Sequence, residues 1–237
     1  MTEITDHLGE IHARMAKAAA KATASAARPA GPVTLVGVSK GQPAAAVRSG
    51  LAAGLRDFGE NYLQEALPKI AAGDRDLVWH FIGRIQSNKT REIAASFAWA
   101  QTVTSARIAE RLSAQRAHHG EPLQVCIQLE PGGSDGAAAG EANRAGCPRA
   151  DVHALANLIA KLPRLRLRGL MLLPQAELDA DTLRVEYRAA RALFDQLNTQ
   201  GHALDTLSMG MSDDFEIAIE EGSTMIRVGT ALFGKRP

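Results

Sequence analysis

Along the first twenty residues apolar positions recur every three or four, with Ile4, Leu8, Ile11, Met15 and Ala18 on one stripe. That period predicts an amphipathic helix. Its alanine-rich continuation reaches Ala27, and Pro29-Ala30-Gly31-Pro32 ends it. From residue 33 the pattern changes. Short β-branched or apolar runs at 33–38, 55–58, 77–82, 97–103, 123–129, 167–173, 204–207 and 224–228 read as strands. The stretches between them, at 44–53, 62–72, 87–95, 106–118, 149–162, 180–200 and 213–221, carry helical spacing. Such alternation predicts parallel strands joined by crossover helices. Eight strand candidates in a chain of this length fit a single α/β domain, a (β/α)8 TIM barrel over 33–237. Residues 1–32 add an N-terminal helix and linker that pack on it. The runs at 55–58 and 204–207 are the weakest, so an open doubly wound sheet also fits. No linker rich in proline, serine or charge divides the chain.

The stretch 130–149 breaks the rhythm with Pro-Gly-Gly-Ser-Asp-Gly and Ala-Ala-Ala-Gly and no apolar period. Its composition predicts a poorly ordered loop over 131–142.

Composition narrows the class. The 237 residues carry a net charge of +1 and only 4% aromatics, so neither a basic field nor a stacking platform for nucleic acid is present. Nothing approaches the roughly 20 apolar residues that cross a bilayer, and with Glu3 and Asp6 and no unbroken apolar core the first residues are not expected to be a signal peptide. Cys126 and Cys147 lack metal-site or disulfide-framework spacing. A reducing cytoplasm is the expected setting.

In a barrel, chemistry collects at the C-terminal ends of strands. Lys40 lies two residues past the first strand run. A lysine there is usually a solvated charge, yet Ser39-Lys40-Gly41 follows the apolar run too closely to leave the barrel mouth. Partial desolvation would lower its pKa from about 10.4 and favour the nucleophilic amine. Near the C-terminus, Ser208-Met209-Gly210-Met211-Ser212-Asp213 follows the seventh strand, and Arg227-Val228-Gly229-Thr230 closes the eighth. Loops after strands seven and eight often hold phosphate. Gly210 and Gly229 would allow close backbone approach, and Ser212 and Thr230 offer hydroxyls. Turn glycines with a Ser or Asp cap explain the same residues. His80, between Trp79 and Phe81, reads as a base or, more usually, a hydrogen-bonded structural histidine. Asn61 reads as a helix cap.

Together these segments resemble the pyridoxal-phosphate (PLP) homeostasis family, the YggS/PROSC-type PLP-binding proteins. The matching pieces are Val36-Gly37-Val38-Ser39-Lys40, Phe58-Gly59-Glu60-Asn61-Tyr62, residues 79–91, Leu167-Arg168-Gly169-Leu170-Met171, residues 207–214 and Arg227-Val228-Gly229-Thr230. The resemblance implies a barrel like the N-terminal domain of alanine racemase, the fold type III of PLP proteins. It implies pyridoxal 5′-phosphate as a Schiff base on Lys40. Ser212, Gly229 and Thr230 would hold the phosphate, with Met209 in the same motif, and Arg227 would face the pyridine nitrogen. Asn61 and His80 would line the cofactor's side of the barrel. The chain departs from the family pattern at Arg144-Ala145-Gly146, which stands where a Lys-x-Gly triplet is usual.

The implied role is control of the free PLP pool, with PLP-dependent apo-enzymes as recipients and a monomer or weak dimer as the assembly. An arginine beside the ring nitrogen cannot take up its proton and weakens carbanion chemistry. The expected barrel accounts for the sequence through residue 237, so no second domain with an opposing tyrosine is expected. The expectation is therefore a carrier without robust catalysis. The alternative is a small racemase or decarboxylase that uses Lys40 as base.

Overall fold

In a computed structural model of the chain, residues 2–24, 31–73, 76–132 and 146–235 are described. The strands are β1 (Thr34–Val38), β2 (Asp57–Glu60), β3 (Val78–Phe81), β4 (Trp99–Val103), β5 (Leu123–Leu129), β6 (Leu165–Leu172), β7 (Thr206–Ser208) and β8 (Met225–Val228). Each pairs in parallel with the next. β1 also pairs with β8, from Thr34 opposite Met225 to Gly37 opposite Val228. That closure makes a barrel and excludes the open sheet.

The helices follow the expected order: α1 (Thr2–Ala24), α2 (Ala44–Ala52), α3 (Leu63–Ala72), α4 (Thr90–Ser96), α5 (Ala106–Gln115), α6 (Val152–Ile159), α7 (Ala180–Thr199), α8 (Phe215–Glu220) and α9 (Thr230–Phe233). Tight 3-10 turns at Ser87–Lys89 and Arg149–Asp151 lead into α4 and α6. The extension of α1 to Ala27 and most of the loop expected at 131–142 lie outside the described residues. Leu129 and Cys147, on either side of that stretch, pair in an isolated parallel bridge.

Helix α1 lies against α8 and α9. Leu8, Ile11, Met15 and Ala18 are buried there, as the stripe predicts. Three large side chains so buried contribute roughly 5–9 kcal/mol gross, an upper figure. The exposed pairs Arg14–Glu216 and Lys21–Glu220 contribute well under about 1 kcal/mol each. Apolar burial, not charge, holds α1.

Two apolar clusters result. The larger lies between strands and helices; the smaller, inside the barrel, comprises Val36, Trp99, Cys126, Met171 and Met225. Inward side chains alternate with outward ones along the strands, interrupted by register shifts between Ala100 and Val103 and where Val125 and Cys126 meet β6. The weak runs are real strands, each starting two residues later than expected. They extend to Glu60 and Ser208, polar residues buried at 0% exposure, which an apolar pattern cannot mark. Both cysteines are unpaired and buried, and burial pushes each thiol up to about 12. Neither is poised to react. Among the described residues no helix is long and apolar enough to cross a membrane, and no metal-ligating cluster occurs.

Candidate functional site

The C-terminal ends of the strands surround a cavity of about 350 Å³, within the roughly 300–1,000 Å³ typical of ligand pockets. Lys40, Asn61, Ser212, Arg227, Gly229 and Thr230 all line it. Val38, Ile82, Met171, Leu173 and Met211 supply its apolar walls.

The wall of β1 and β2 is braced from α3. Lys69 Nζ donates to the backbone carbonyl of Ser39 at 2.7 Å and to Glu60 Oε1 at 2.7 Å. Ser39 Oγ donates to the same carboxylate oxygen. On the other side of Lys40, the Gly41 amide donates to Glu65 Oε2 at 2.7 Å. Two α3 side chains one turn apart therefore fix the backbone before and after Lys40. These residues were not anticipated from sequence. The available signal was Lys69 itself, spaced three residues from Ala66 and six from Leu63 on the buried stripe of α3. A buried lysine–glutamate pair costs desolvation, which is consistent with a positional rather than a stabilising role.

Opposite stands Arg227. It is buried, with Nη1 donating to Ser208 Oγ at 2.7 Å and Nη2 to the Leu172 carbonyl at 3.0 Å. Burial lowers its pKa from the ordinary arginine value. Among the described residues it makes no ion pair, so a guanidinium is held on neutral acceptors at the cavity wall. Charges buried that way are costly and concentrate at functional sites. The loops after β7 and β8 meet where the Ala231 amide donates to Ser212 Oγ at 3.5 Å. Gly83 lets the Asn61 backbone approach, since a Cβ there would lie 2.1 Å from the Asn61 carbonyl oxygen. Asn61 Oδ1 is then buried with no hydrogen-bond partner among the described residues. A buried acceptor left open beside a cavity is a place for a ligand donor. One carboxylate, that of the exposed Asp213, also lines the cavity.

Two expected site residues lie elsewhere. His80 points into the barrel one layer below, fully buried, with Nε2 2.9 Å from Asp57 Oδ1 and Nδ1 2.9 Å from Gln101 Nε2. It stacks on Trp99 at 5.2 Å, while Ile82, two residues on, lines the cavity instead. Met209 is buried in the outer cluster. With Ser208 turned inward, alternation turns Met209 outward, and Met211 reaches the cavity. Gly210, at φ +97°, serves packing: a Cβ there would lie 2.7 Å from Ala218 Cβ.

A second cavity of about 490 Å³ lies at the opposite end, lined by the strand starts Thr34, Asp57, Trp99, Thr206 and Met225. Both of its arginines are paired with carboxylates. Arg168 donates bidentately to Asp205, at 2.8 Å from Nε and 2.7 Å from Nη2, and lies over Trp99 at 4.8 Å.

The lining of the mouth suits an anionic aldehyde: an amine to capture it, a guanidinium, uncharged hydroxyl and amide donors, and an open amide oxygen. Comparison with known proteins agrees. The family model described as alanine racemase, N-terminal domain, matches residues 12–237. The pyridoxal phosphate homeostasis protein of Pseudomonas aeruginosa is 49% identical over 237 residues, covering 100% of this chain and 97% of that one. The structure of PipY from Synechococcus elongatus with PLP bound is 37% identical, at TM-score 0.77, covering 92% of this chain and all of the other. An alanine racemase of Clostridium difficile shares the fold alone, at 14% identity and TM-score 0.75, covering 100% of this chain and 58% of the racemase. The chain belongs to the alanine racemase N-terminal domain family and, within it, to the pyridoxal phosphate homeostasis proteins.

Proposed function

We propose that this protein holds pyridoxal 5′-phosphate in the mouth cavity as a Schiff base on Lys40 and serves cytoplasmic PLP homeostasis, storing and supplying the cofactor. The observation that carries this reading is the convergence of Lys40, Asn61, Ser212, Arg227, Gly229 and Thr230 on one cavity. When bound, PLP supplies an electrophilic aldehyde and an electron-withdrawing ring. Lys40 provides the amine, with its backbone held on both sides by Lys69 and Glu65. Ser212 and Thr230, with the backbone at Gly229, provide phosphate donors. Arg227 presents N–H groups that donate and never accept. The names of the relatives support the homeostatic role.

We read the protein as a carrier rather than an enzyme, with PLP-dependent apo-enzymes as recipients and a monomer or weak dimer as the working form. Residues 1–32 act as an accessory helix and linker on a barrel of 33–237. A racemase needs acid–base groups on both substrate faces. Tyr187 is buried, donates to Asp214 at 2.9 Å, and burial raises its pKa beyond the ordinary phenol range. Neither Tyr187 nor Tyr62 lines the cavity.

Borohydride reduction of the PLP-loaded protein should place the pyridoxyl group on Lys40, and Lys40→Ala should lose the visible absorption. Label on Lys89 or Lys235 instead would sink the assignment. Sustained turnover of any amino acid, abolished by Lys40→Ala, would favour the racemase or decarboxylase reading.

A further inference from the structure

A single run of hydrogen bonds crosses the barrel interior from the floor to the mouth. Arg227 Nη1 donates to Ser208 Oγ at 2.7 Å, Ser208 Oγ to Gln101 Oε1 at 2.7 Å, and Gln101 Nε2 meets His80 Nδ1 at 2.9 Å. His80 Nε2 then meets Asp57 Oδ1 at 2.9 Å. Ser208, Gln101 and His80 are all at 0% exposure, whereas the Asp57 side chain is 26% exposed at the floor cavity.

The two ends dictate the direction of every link. A guanidinium only donates and an ionised carboxylate only accepts. Ser208 must therefore accept from Arg227, and its one proton goes to the Gln101 oxygen. The Gln101 amide nitrogen then faces His80, so Nδ1 is bare and the proton sits on Nε2, donated to Asp57. The second amide proton of Gln101 reaches Met225 Sδ at 3.1 Å, and the imidazole is stacked on Trp99. No member can turn without leaving a neighbour donor-to-donor or acceptor-to-acceptor inside an otherwise apolar interior.

We propose that Asp57, His80, Gln101 and Ser208 are positioning residues, a relay that aims the Arg227 guanidinium into the mouth cavity. A change at the barrel floor is thereby felt by a ligand at the mouth. The proposal rests on the PLP reading only for the identity of that ligand.

The first measurement needs no ligand. In apoprotein labelled with ¹⁵N-arginine, the Arg227 side-chain N–H signals, assigned by their loss in Arg227→Lys, should exchange slowly. Ser208→Ala should speed that exchange at least about tenfold, and Ser208→Thr, which keeps the hydroxyl, should restore it. Asp57→Ala should also speed it from the far end of the barrel, while Asp57→Asn, whose Oδ1 still accepts, should not. The second measurement adds PLP. Ser208→Ala and Gln101→Leu should shift its absorption maximum and weaken its binding on the order of tenfold (about 1.4 kcal/mol), while Ser208→Thr should bind and absorb as the wild type does. If Gln101→Leu does not fold, Ser208→Ala and Asp57→Ala decide the matter. Unchanged exchange in folded Ser208→Ala would overturn the relay. Failure of the wild type to bind PLP would overturn the cofactor reading, and the exchange measurement would still judge the relay.

Discussion

The two ends of this barrel hold similar kinds of residue and treat them in opposite ways. At the floor, Arg168 meets Asp205 in a bidentate pair, Arg191 meets Asp195 at 2.8 Å, and Asp57 accepts from His80. At the mouth, Arg227 is buried on a serine hydroxyl and a carbonyl, and Asn61 Oδ1 has no partner among the described residues. A fold built only for stability would pair its buried charge, because an uncompensated one costs several kcal/mol. The difference supports the proposal that the mouth is the ligand end: polar groups left open toward a cavity suit a working end, and paired ones suit scaffold. Size does not make that distinction, since the floor cavity is the larger, at about 490 against 350 Å³.

The largest expected effect tests the open groups at the mouth. If Ser212, Thr230 and the Gly229 backbone cradle a phosphate, pyridoxal without it should bind far more weakly than PLP. Ser212→Ala should cost about 1–3 kcal/mol of PLP affinity, the usual range for an unmade hydrogen bond to a charged group. Titration by absorbance checks both. Equal affinity for pyridoxal and PLP would leave the mouth without its anion site and break the contrast with the floor.

Much of this architecture was legible in the chain. The helix stripe of α1 and six of the strand runs are written in local apolar spacing. β2 and β7 were faint because their interior-facing residues, Asp57 and Gly59 on one and Thr206 and Ser208 on the other, are not apolar, and what buries Glu60 is Lys69 on the following helix. Three-dimensional pairing of that kind has no period. The site residues were legible as strand-end motifs, but which of them share a layer was not. His80 and Asn61 sit in neighbouring motifs, yet Asn61 comes at the top of its strand and His80 one layer down. The ordinary reading of His80, as a hydrogen-bonded structural histidine, describes its position better than the family motif does. Gln101 carried no local signal, and Ser208 stood out only as the start of the motif after the seventh strand, because their role depends on five strands meeting inside the barrel.

A middle-sized effect should come from pH. Burial lowers the pKa of His80 below 6.5, against the opposing pull of its hydrogen bond and charge interaction with Asp57. The folded state therefore keeps His80 neutral while the unfolded chain protonates it. Stability from this group is complete above about pH 6.5 and is lost as pH falls from there toward the folded pKa. The slope is at most about 1.4 kcal/mol per pH unit, so stability should begin to fall as pH drops below 6.5. Acidic groups held low, such as Glu221 with Arg184 and Arg188, lose their contribution only below the ordinary carboxylate range. In His80→Gln an amide that can still accept from Gln101 and donate to Asp57 should flatten the 5.5–6.5 region. Denaturant midpoints across that interval measure it. An unchanged slope in the variant would mean that His80 is not the group responsible.

The smallest effect should come from the floor pair, and its smallness is the point. Arg168 touches Asp205, Gln124 and the Trp99 face, and Trp99 stacks on His80, but among the described residues no run of side-chain hydrogen bonds links Arg168 to Arg227. Its side chain is 24% exposed and that of Asp205 is 51% exposed, so solvent screens the pair. Arg168→Lys keeps the charge and removes the planar fork. It should cost about 0.5 kcal/mol of stability and leave PLP affinity and absorption as they are. The proposed hydrogen-bond relay joins the floor to the mouth through Asp57 and leaves Arg168 outside it. A more than threefold loss of PLP affinity in Arg168→Lys, at unchanged melting temperature, would show a second route across the barrel and dissolve the division between a working end and a scaffold end.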